Sequence, residues 1–282
     1  MGHGKLKKFK ENEGFSCLLQ PSLDDIVVKE GNGFSLRDHS VKGHWSDRFG
    51  GIHAPLVVEF GCGRGEYTID LALRDPSRNY IGVDIKGARL WKGAKYATEN
   101  NLPNVAFLRT RIEFIEAFFA KDEVSEIWLT FSDPQLKSEN NRLTSPRFLE
   151  RYRKFLKPGG VVHLKTDSRF LYEYSLAVCK ANGLQILAST TDLYGAQNND
   201  PASLAANLNL SDDYASVCGD SAVSALFEVQ TFYEKMFMSQ GYKITYLAFR
   251  LDKEGEFVAP TDFDADYWRS VEGPRAFIRN PE

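Results

Sequence analysis

The stretch that most constrains this chain is Leu56-Val57-Val58-Glu59-Phe60-Gly61-Cys62-Gly63-Arg64-Gly65-Glu66. Five residues of buried-strand character run into three glycines at alternate positions, and Tyr67 to Leu73 then reads as a helix. The segment is a strand, a tight turn and a helix N-terminus. Glycine opens backbone conformations closed to other residues and lets a ligand come close, while the unpaired N–H groups of a helix end favour a carboxylate or phosphate. The next strand, Asn79-Tyr80-Ile81-Gly82-Val83, ends at Asp84. That is about twenty residues beyond the turn, where an acid can accept hydrogen bonds from ribose hydroxyls.

The turn fits neither common nucleotide fingerprint. A dinucleotide turn wants G-x-G-x-x-G, but Gly65 comes one residue early and Glu66 holds the last glycine position; no Lys-Ser/Thr pair follows to make a P-loop. Glu59 adds a carboxylate that favours an ammonium or sulfonium and repels a pyrophosphate. The combination resembles motif I of the S-adenosylmethionine-dependent methyltransferases with a Rossmann-like sheet. The bland alternative, an ordinary tight turn, explains the glycines but not Glu59 and Asp84 in register with them.

Composition sets the frame. A chain of 282 residues, 43% hydrophobic and 26% charged, suits a soluble globular protein with one large domain and additions. The four cysteines lack C-x-x-C spacing, so neither a metal site nor a disulfide framework is expected, and a cytoplasmic location is. The N-terminus lacks an apolar signal core, and no run approaches the roughly 18 apolar residues of a membrane span. A net charge of −3 gives no overall attraction to nucleic acid. The charge is uneven, however. Lys5, Lys7, Lys8 and Lys10 form a basic arm, and Arg142, Arg147, Arg151, Arg153, Lys154 and Lys157 crowd a later segment. Solvated surface charge explains both clusters equally well.

Residues 1–54 show little periodicity and read as an arm that packs on the domain or becomes ordered on binding a partner. Residues 55–251 alternate strands with helices, which implies an α/β fold: a mostly parallel sheet of seven strands with helices on both faces. Residues 195–228 turn polar and read as a mobile surface insertion with one short helix over 202–207. Residues 252–282 read as an acidic tail without a clear element, in which Tyr267, Trp268 and Phe277 could fold back. In such a sheet ligands gather at the carboxyl ends of the strands. Those ends carry Glu59, Asp84, the run Thr130-Phe131-Ser132-Asp133-Pro134, and Lys165-Thr166-Asp167. Several acids on one rim are poor choices for stability and make a site, although Asp167 or Ser168 could simply cap the helix that follows.

Five signatures occur in order: Glu59-Phe-Gly-Cys-Gly-Arg-Gly-Glu66, Phe131-Ser-Asp-Pro-Gln-Leu-Lys137, Phe155-Leu-Lys-Pro-Gly-Gly160, His163-Leu-Lys-Thr-Asp167 and Thr231-Phe-Tyr-Glu234. Together they resemble the bacterial tRNA (guanine-N7)-methyltransferases over about 55–251. Leu-Lys-Pro-Gly-Gly is common to many methyltransferases. The pairing of Asp-Pro-x-x-Lys with a later Thr-x-x-Glu is more specific, because it lies on the substrate side. The chain departs from the family where Pro-Asp-Pro-Trp-Pro-Lys-Lys and its basic run become Ser132-Asp133-Pro134-Gln135-Leu136-Lys137-Ser138, and where Thr-Lys-Phe-Glu becomes Thr231-Phe232-Tyr233-Glu234.

The resemblance implies a Rossmann-like class I methyltransferase that uses S-adenosyl-L-methionine. It assigns cofactor contacts to Glu59, Gly61, Gly63, Asp84, Arg111, Ile112 and Asp133, and substrate contacts to Lys137, Asp167, Thr231 and Glu234. Asp133 is the implied catalytic residue, between cofactor and guanine, and the implied target is N7 of the variable-loop guanine at position 46 of tRNA. The expected assembly is a monomer or homodimer. Two other readings remain open: a methyltransferase for a small molecule, and a non-catalytic binding module that kept the sheet.

Overall fold

The computed structural model describes residues 3–31, 33–195, 203, 206–218 and 222–272. Its frame is a mixed α/β sheet. The strands in chain order are β1 (Leu18–Leu19), β2 (Val27–Glu30), β3 (Gly33–Leu36), β4 (Leu56–Phe60), β5 (Asn79–Asp84), β6 (Val105–Arg109), β7 (Val124–Thr130), β8 (Leu156–Thr166), β9 (Ile186–Thr190), β10 (Asn209–Leu210) and β11 (Thr245–Arg250). Nine of them form one sheet in the order β1-β6-β5-β4-β7-β8-β11-β9-β10, and β2 and β3 pair as a separate hairpin. The pairs from β1 through β8 are parallel; β11 enters antiparallel between β8 and β9.

Strands β4, β5 and β7 are buried at every residue, because helices cover both faces and each side chain is apolar or tied down. One face packs Phe60, Ile81, Leu108 and Leu129 against Tyr152 and Phe155. The other packs Phe107, Trp128 and Tyr246 against Tyr67 and Leu226. The expected seven strands are β4 to β9 and β11. The two additions, β1 beside β6 and β10 beside β9, are two residues long, too short for a period-2 pattern to be read.

The 1–54 arm packs on the domain: the helix His3–Asn12 lies on the helix Gly87–Glu99, with Asn12 Nδ2 donating to Gly87 O at 2.9 Å, and Trp45 is buried with its Nε1 donating to Phe118 O. Elsewhere the structure differs from expectation. The described part of the 195–228 insertion is no surface loop. Its helices Tyr214–Cys218 and Ala222–Glu228 bury Tyr214 and Leu226, and the Tyr214 hydroxyl meets that of Tyr246 at 3.0 Å. The short helix expected over 202–207 lies largely outside the described residues. The tail forms the helix Ala265–Glu272, preceded by Phe263, which meets Phe170 and Tyr174 edge-on; Phe277 lies outside the described residues. Between β6 and β7 the chain takes a 3₁₀ turn, Ile112–Ala117, tighter than an α-helix.

Candidate active site

The three glycines of the turn do two different jobs. Gly61 and Gly63 have φ of 77° and 57°, and a Cβ added to Gly61 would meet nothing within 4 Å, so this part of the turn faces open space. Gly65, at φ 72°, closes instead: its Cβ would stand 2.5 Å from a ring carbon of Phe107. Gly82 and Gly93 make room for the same ring. The turn thus packs on one side and leaves a backbone cradle on the other.

Asp84, at the end of β5, accepts from Gly63 N at 3.0 Å with one oxygen and from Lys86 N at 2.7 Å with the other. It is 8% exposed. A carboxylate has about four acceptor positions, so both oxygens retain room for hydroxyl donors. Ile85 beside it is 52% exposed, an apolar surface next to a polar anchor that suits a flat base beside a ribose. Sequence reading missed Ile85; an isoleucine directly after the strand-end acid was the available signal. Arg111 and Ile112 lie just past the end of the neighbouring strand β6, where Arg111 is exposed and paired with Glu113 at 3.3 Å.

Glu59 lies under the turn rather than in the open. One oxygen accepts from Thr68 N at 2.9 Å and from the Thr68 hydroxyl, and the other from the Thr130 hydroxyl. Burial pushes its carboxyl up to about 7 against the pull of the Thr130 and Thr68 hydrogen bonds, and the nearby Asp84 adds to the rise. The expected free carboxylate for a cation is therefore a buried tie between the turn's helix and β7. Glu59 and Asp84 together also hold the buried Cys62 thiol well above its ordinary range, after burial itself.

Asp133 follows β7 and is exposed. Its Oδ1 accepts from Gln135 N at 2.9 Å, so the Asp-Pro step closes an Asx turn. Phe131 and Gln135 on either side have φ of 50° and 47°, left-handed conformations that non-glycine residues adopt at a cost and that cluster at functional sites. Phe131 N is fixed to Lys165 O at 2.9 Å. Lys137, at the far end of the same loop, is exposed.

The ambiguity at the end of β8 is resolved by geometry. Ser168 caps the helix Arg169–Ala181, its hydroxyl accepting from Leu171 N at 3.1 Å. Asp167 is thereby spared the capping role and stays on the rim.

Thr231 and Glu234 behave differently from the other assigned residues. They form a capping box for the helix Phe232–Ser239, with Glu234 N donating to Thr231 Oγ1 at 3.1 Å. Glu234 is fully buried in an ion pair with Lys165 at 2.7 Å, and Lys165 also donates to the carbonyls of Leu226 and Val229. Burial lowers the Lys165 pKa, and Glu234 opposes that shift. This pair leaves Glu234 facing the interior, a correction to its expected contact with substrate. Lys165 was read only as part of the rim, and its pairing with Glu234 was missed. The helix it secures lies over the glycine turn: Phe232 N donates to Glu66 at 2.8 Å, and the Arg64 guanidinium stands 5.0 Å from the Phe232 ring.

The basic clusters also divide. Arg142 is buried, Arg151 and Lys154 pair with Glu116, and Arg153 pairs with Glu150, so four of the six in the later cluster are engaged by the chain itself. In the N-terminal region Lys7, Lys92 and Lys95 pair with Glu11, Glu66 and Glu99, and basic side chains still outnumber acidic ones. The helices His3–Asn12 and Gly87–Glu99 together carry seven basic side chains against two acidic ones, and Lys8 and Lys95 flank Trp91 at 4.9 and 5.1 Å. This ridge starts at Gly87, beside Asp84. A hollow of about 330 Å³ lined by Trp45, Phe49, Leu56, Asn79 and Glu123 lies at the amino ends of β4, β5 and β7, at the opposite end of these strands from Asp84 and Asp133. Among the described residues no group of three His, Cys, Asp or Glu side chains could hold a metal ion, and no helix is long and apolar enough to cross a membrane.

A family model described as "Putative methyltransferase" matches residues 53–208. A tRNA (guanine-N(7)-)-methyltransferase of Bacteroides thetaiotaomicron is 41% identical over 274 residues, which cover 96% of this chain and 95% of that protein. One of Christiangramia forsetii is 43% identical over 249 residues, covering 88% and 97%. Among solved structures, the 16S rRNA methyltransferase KamB aligns over 80% of this chain and 100% of its own, with a TM-score of 0.50 and 14% identity, a likeness of fold alone.

Proposed function

The chain belongs to the tRNA (guanine-N7)-methyltransferase family, and from that premise we propose that it transfers a methyl group from S-adenosyl-L-methionine to N7 of the variable-loop guanine 46 of tRNA. What carries the reading is that the similarity runs through the substrate-side segments as well as the glycine turn, over 96% of the chain.

The residues present fit the cofactor. The open face at Gly61 and Gly63, the Asp84 carboxylate and the apolar Ile85 supply a backbone cradle, a ribose anchor and a surface for adenine; Arg111 and Ile112 would close the adenine side, and Glu59 holds the turn from beneath. When bound, S-adenosylmethionine supplies an electrophilic methyl group on a sulfonium centre.

Guanine N7 has an in-plane lone pair and carries no proton, so no general base is needed before attack. Positioning does most of the work, and fixing the partners at near-attack distance contributes about 7 to 11 kcal/mol. Positive charge moves onto the purine as the bond forms. Asp133, exposed at the end of β7 and held by Gln135 N, is suited to stabilise it there. Asp167 is suited to the guanine N1–H and N2–H₂ edge and Lys137 to a phosphate. Thr231 and Glu234 serve by fixing the helix whose Phe232 and Tyr233 rings, each near an arginine, form the upper rim. The ridge of Lys5, Lys7, Lys8, Lys10, Arg89, Lys92 and Lys95 explains how a chain of net charge −3 meets a polyanion: it offers one basic surface beside the site. The reading implies a cytoplasmic enzyme, as a monomer or homodimer.

The test is incubation of the purified protein with labelled methyl donor and unmodified tRNA, with m7G mapped by strand cleavage. The expected result is label at the variable-loop guanine, and a loss of kcat of about 100-fold in Asp133→Asn with cofactor affinity kept. Absence of m7G, or full activity in that variant, refutes the assignment.

A further inference from the structure

The loop that carries Asp133 is held from outside by two arginines the activity does not account for. Arg142 is 3% exposed, and its guanidinium donates to Gln135 O at 3.3 Å and to Leu136 O at 3.4 Å. Gln135 is the left-handed residue whose N–H orients the Asp133 carboxylate. The guanidinium lies 4.7 Å from the ring of Phe170 and 4.3 Å from that of Tyr174, both on the helix that begins just after Asp167. The last described helix closes the arrangement. Arg269 Nε donates to Leu136 O at 3.0 Å, and Glu272 accepts from Phe170 N at 3.0 Å, at the start of the Asp167-side helix. Phe263, just before the last helix, packs against the same Phe170 and Tyr174 rings.

A non-glycine residue stays at positive φ only where its surroundings over-determine it. Here three arginine donors fix the carbonyls of Gln135 and Leu136, and the helix Ala265–Glu272 ties that loop to the Asp167 side of the rim. We propose that Arg142 and Arg269 are positioning residues for the methyl transfer, with the helix Ala265–Glu272 as a brace that sets the Asp133 loop against Asp167. The proposal rests on the reading that Asp133 and Asp167 face the reacting guanine.

Arg269 is well exposed, so Arg269→Ala removes the outer donor without opening the interior. Its kcat on tRNA, its KM, its cofactor affinity by calorimetry and the rate of tryptic cleavage after Lys137 are measured beside those of the unaltered protein. The expected result is a kcat about tenfold lower, since small misplacements of a reacting group are costly, with cofactor affinity within about twofold and faster cleavage after Lys137. Arg269→Lys, which retains a donor, recovers part of the rate. Arg142→Lys offers one donor group for two carbonyls and loses more. If Arg142→Lys fails to fold, the Arg269 variants decide alone. An Arg269→Ala protein with unchanged kcat and unchanged cleavage overturns the proposal, as does a loss of rate matched by loss of cofactor affinity. If the unaltered protein methylates no tRNA, the functional reading falls, while the cleavage rates still judge the brace.

Discussion

Replacing Glu59 by Gln turns a buried titration into a measurable slope. In the folded protein the Glu59 carboxyl is raised from 4.5 to about 7 by burial. A group raised in the folded state favours folding while protonated: its contribution is complete below about pH 4.5 and is lost as the pH rises through about 7. Between about pH 5 and pH 8 that loss amounts to about 2.5 kcal/mol for a shift of this size. Gln keeps the shape, can accept from Thr68 N and can donate to the Thr130 hydroxyl, but does not titrate. The stability of the natural protein relative to Glu59→Gln should therefore fall by about 2.5 kcal/mol across this range, measured by urea unfolding at four pH values. A cationic ligand near the turn adds a second signature. It draws the carboxyl downward, so binding releases a proton and affinity rises by up to about tenfold from pH 6 to pH 8, a slope the Gln variant lacks. A stability difference that stays flat within about 0.5 kcal/mol would refute the argument that Glu59 is protonated in the resting fold.

The glycine turn predicts a contrast. Gly65→Ala drives a methyl group into Phe107 and should cost about 2 kcal/mol or more by thermal unfolding, whereas Gly61→Ala should cost only the backbone strain of about 1 kcal/mol and instead lose cofactor affinity in calorimetry. A second contrast lies at the end of β8. Ser168→Ala should lower stability by about 1 kcal/mol through loss of the cap, while Asp167→Ala should keep the cap and lower tRNA turnover more than Ser168→Ala does.

The parallel sheet and its strand-end acids were legible because they rest on local signals: apolar runs of five or six residues, glycines at a turn, acids after strands. What was not legible depended on long-range pairing. Arg142 reads as surface charge in sequence, and only the rings of Phe170 and Tyr174 and the carbonyls of Gln135 and Leu136 make its burial tolerable. Glu234 reads by resemblance as a substrate contact, and only Lys165, 69 positions earlier in a strand, explains why it is inside. The arm and tail lacked periodicity because each contributes short elements that pack on existing helices instead of forming a face of their own. Ser168 and Asp167 were inseparable until the hydroxyl was seen to take the helix N–H.

The Lys165–Glu234 pair also joins the two ends of a long chain excursion. Tyr194, which opens the excursion, bonds Glu234 at 2.6 Å, and Leu226 and Val229, which end it, bond Lys165. Both feet of the excursion stand on one buried charge pair. Breaking the pair would leave one charge buried without its partner and release both feet at once, so the excursion and the helix over the glycine turn stand or fall together.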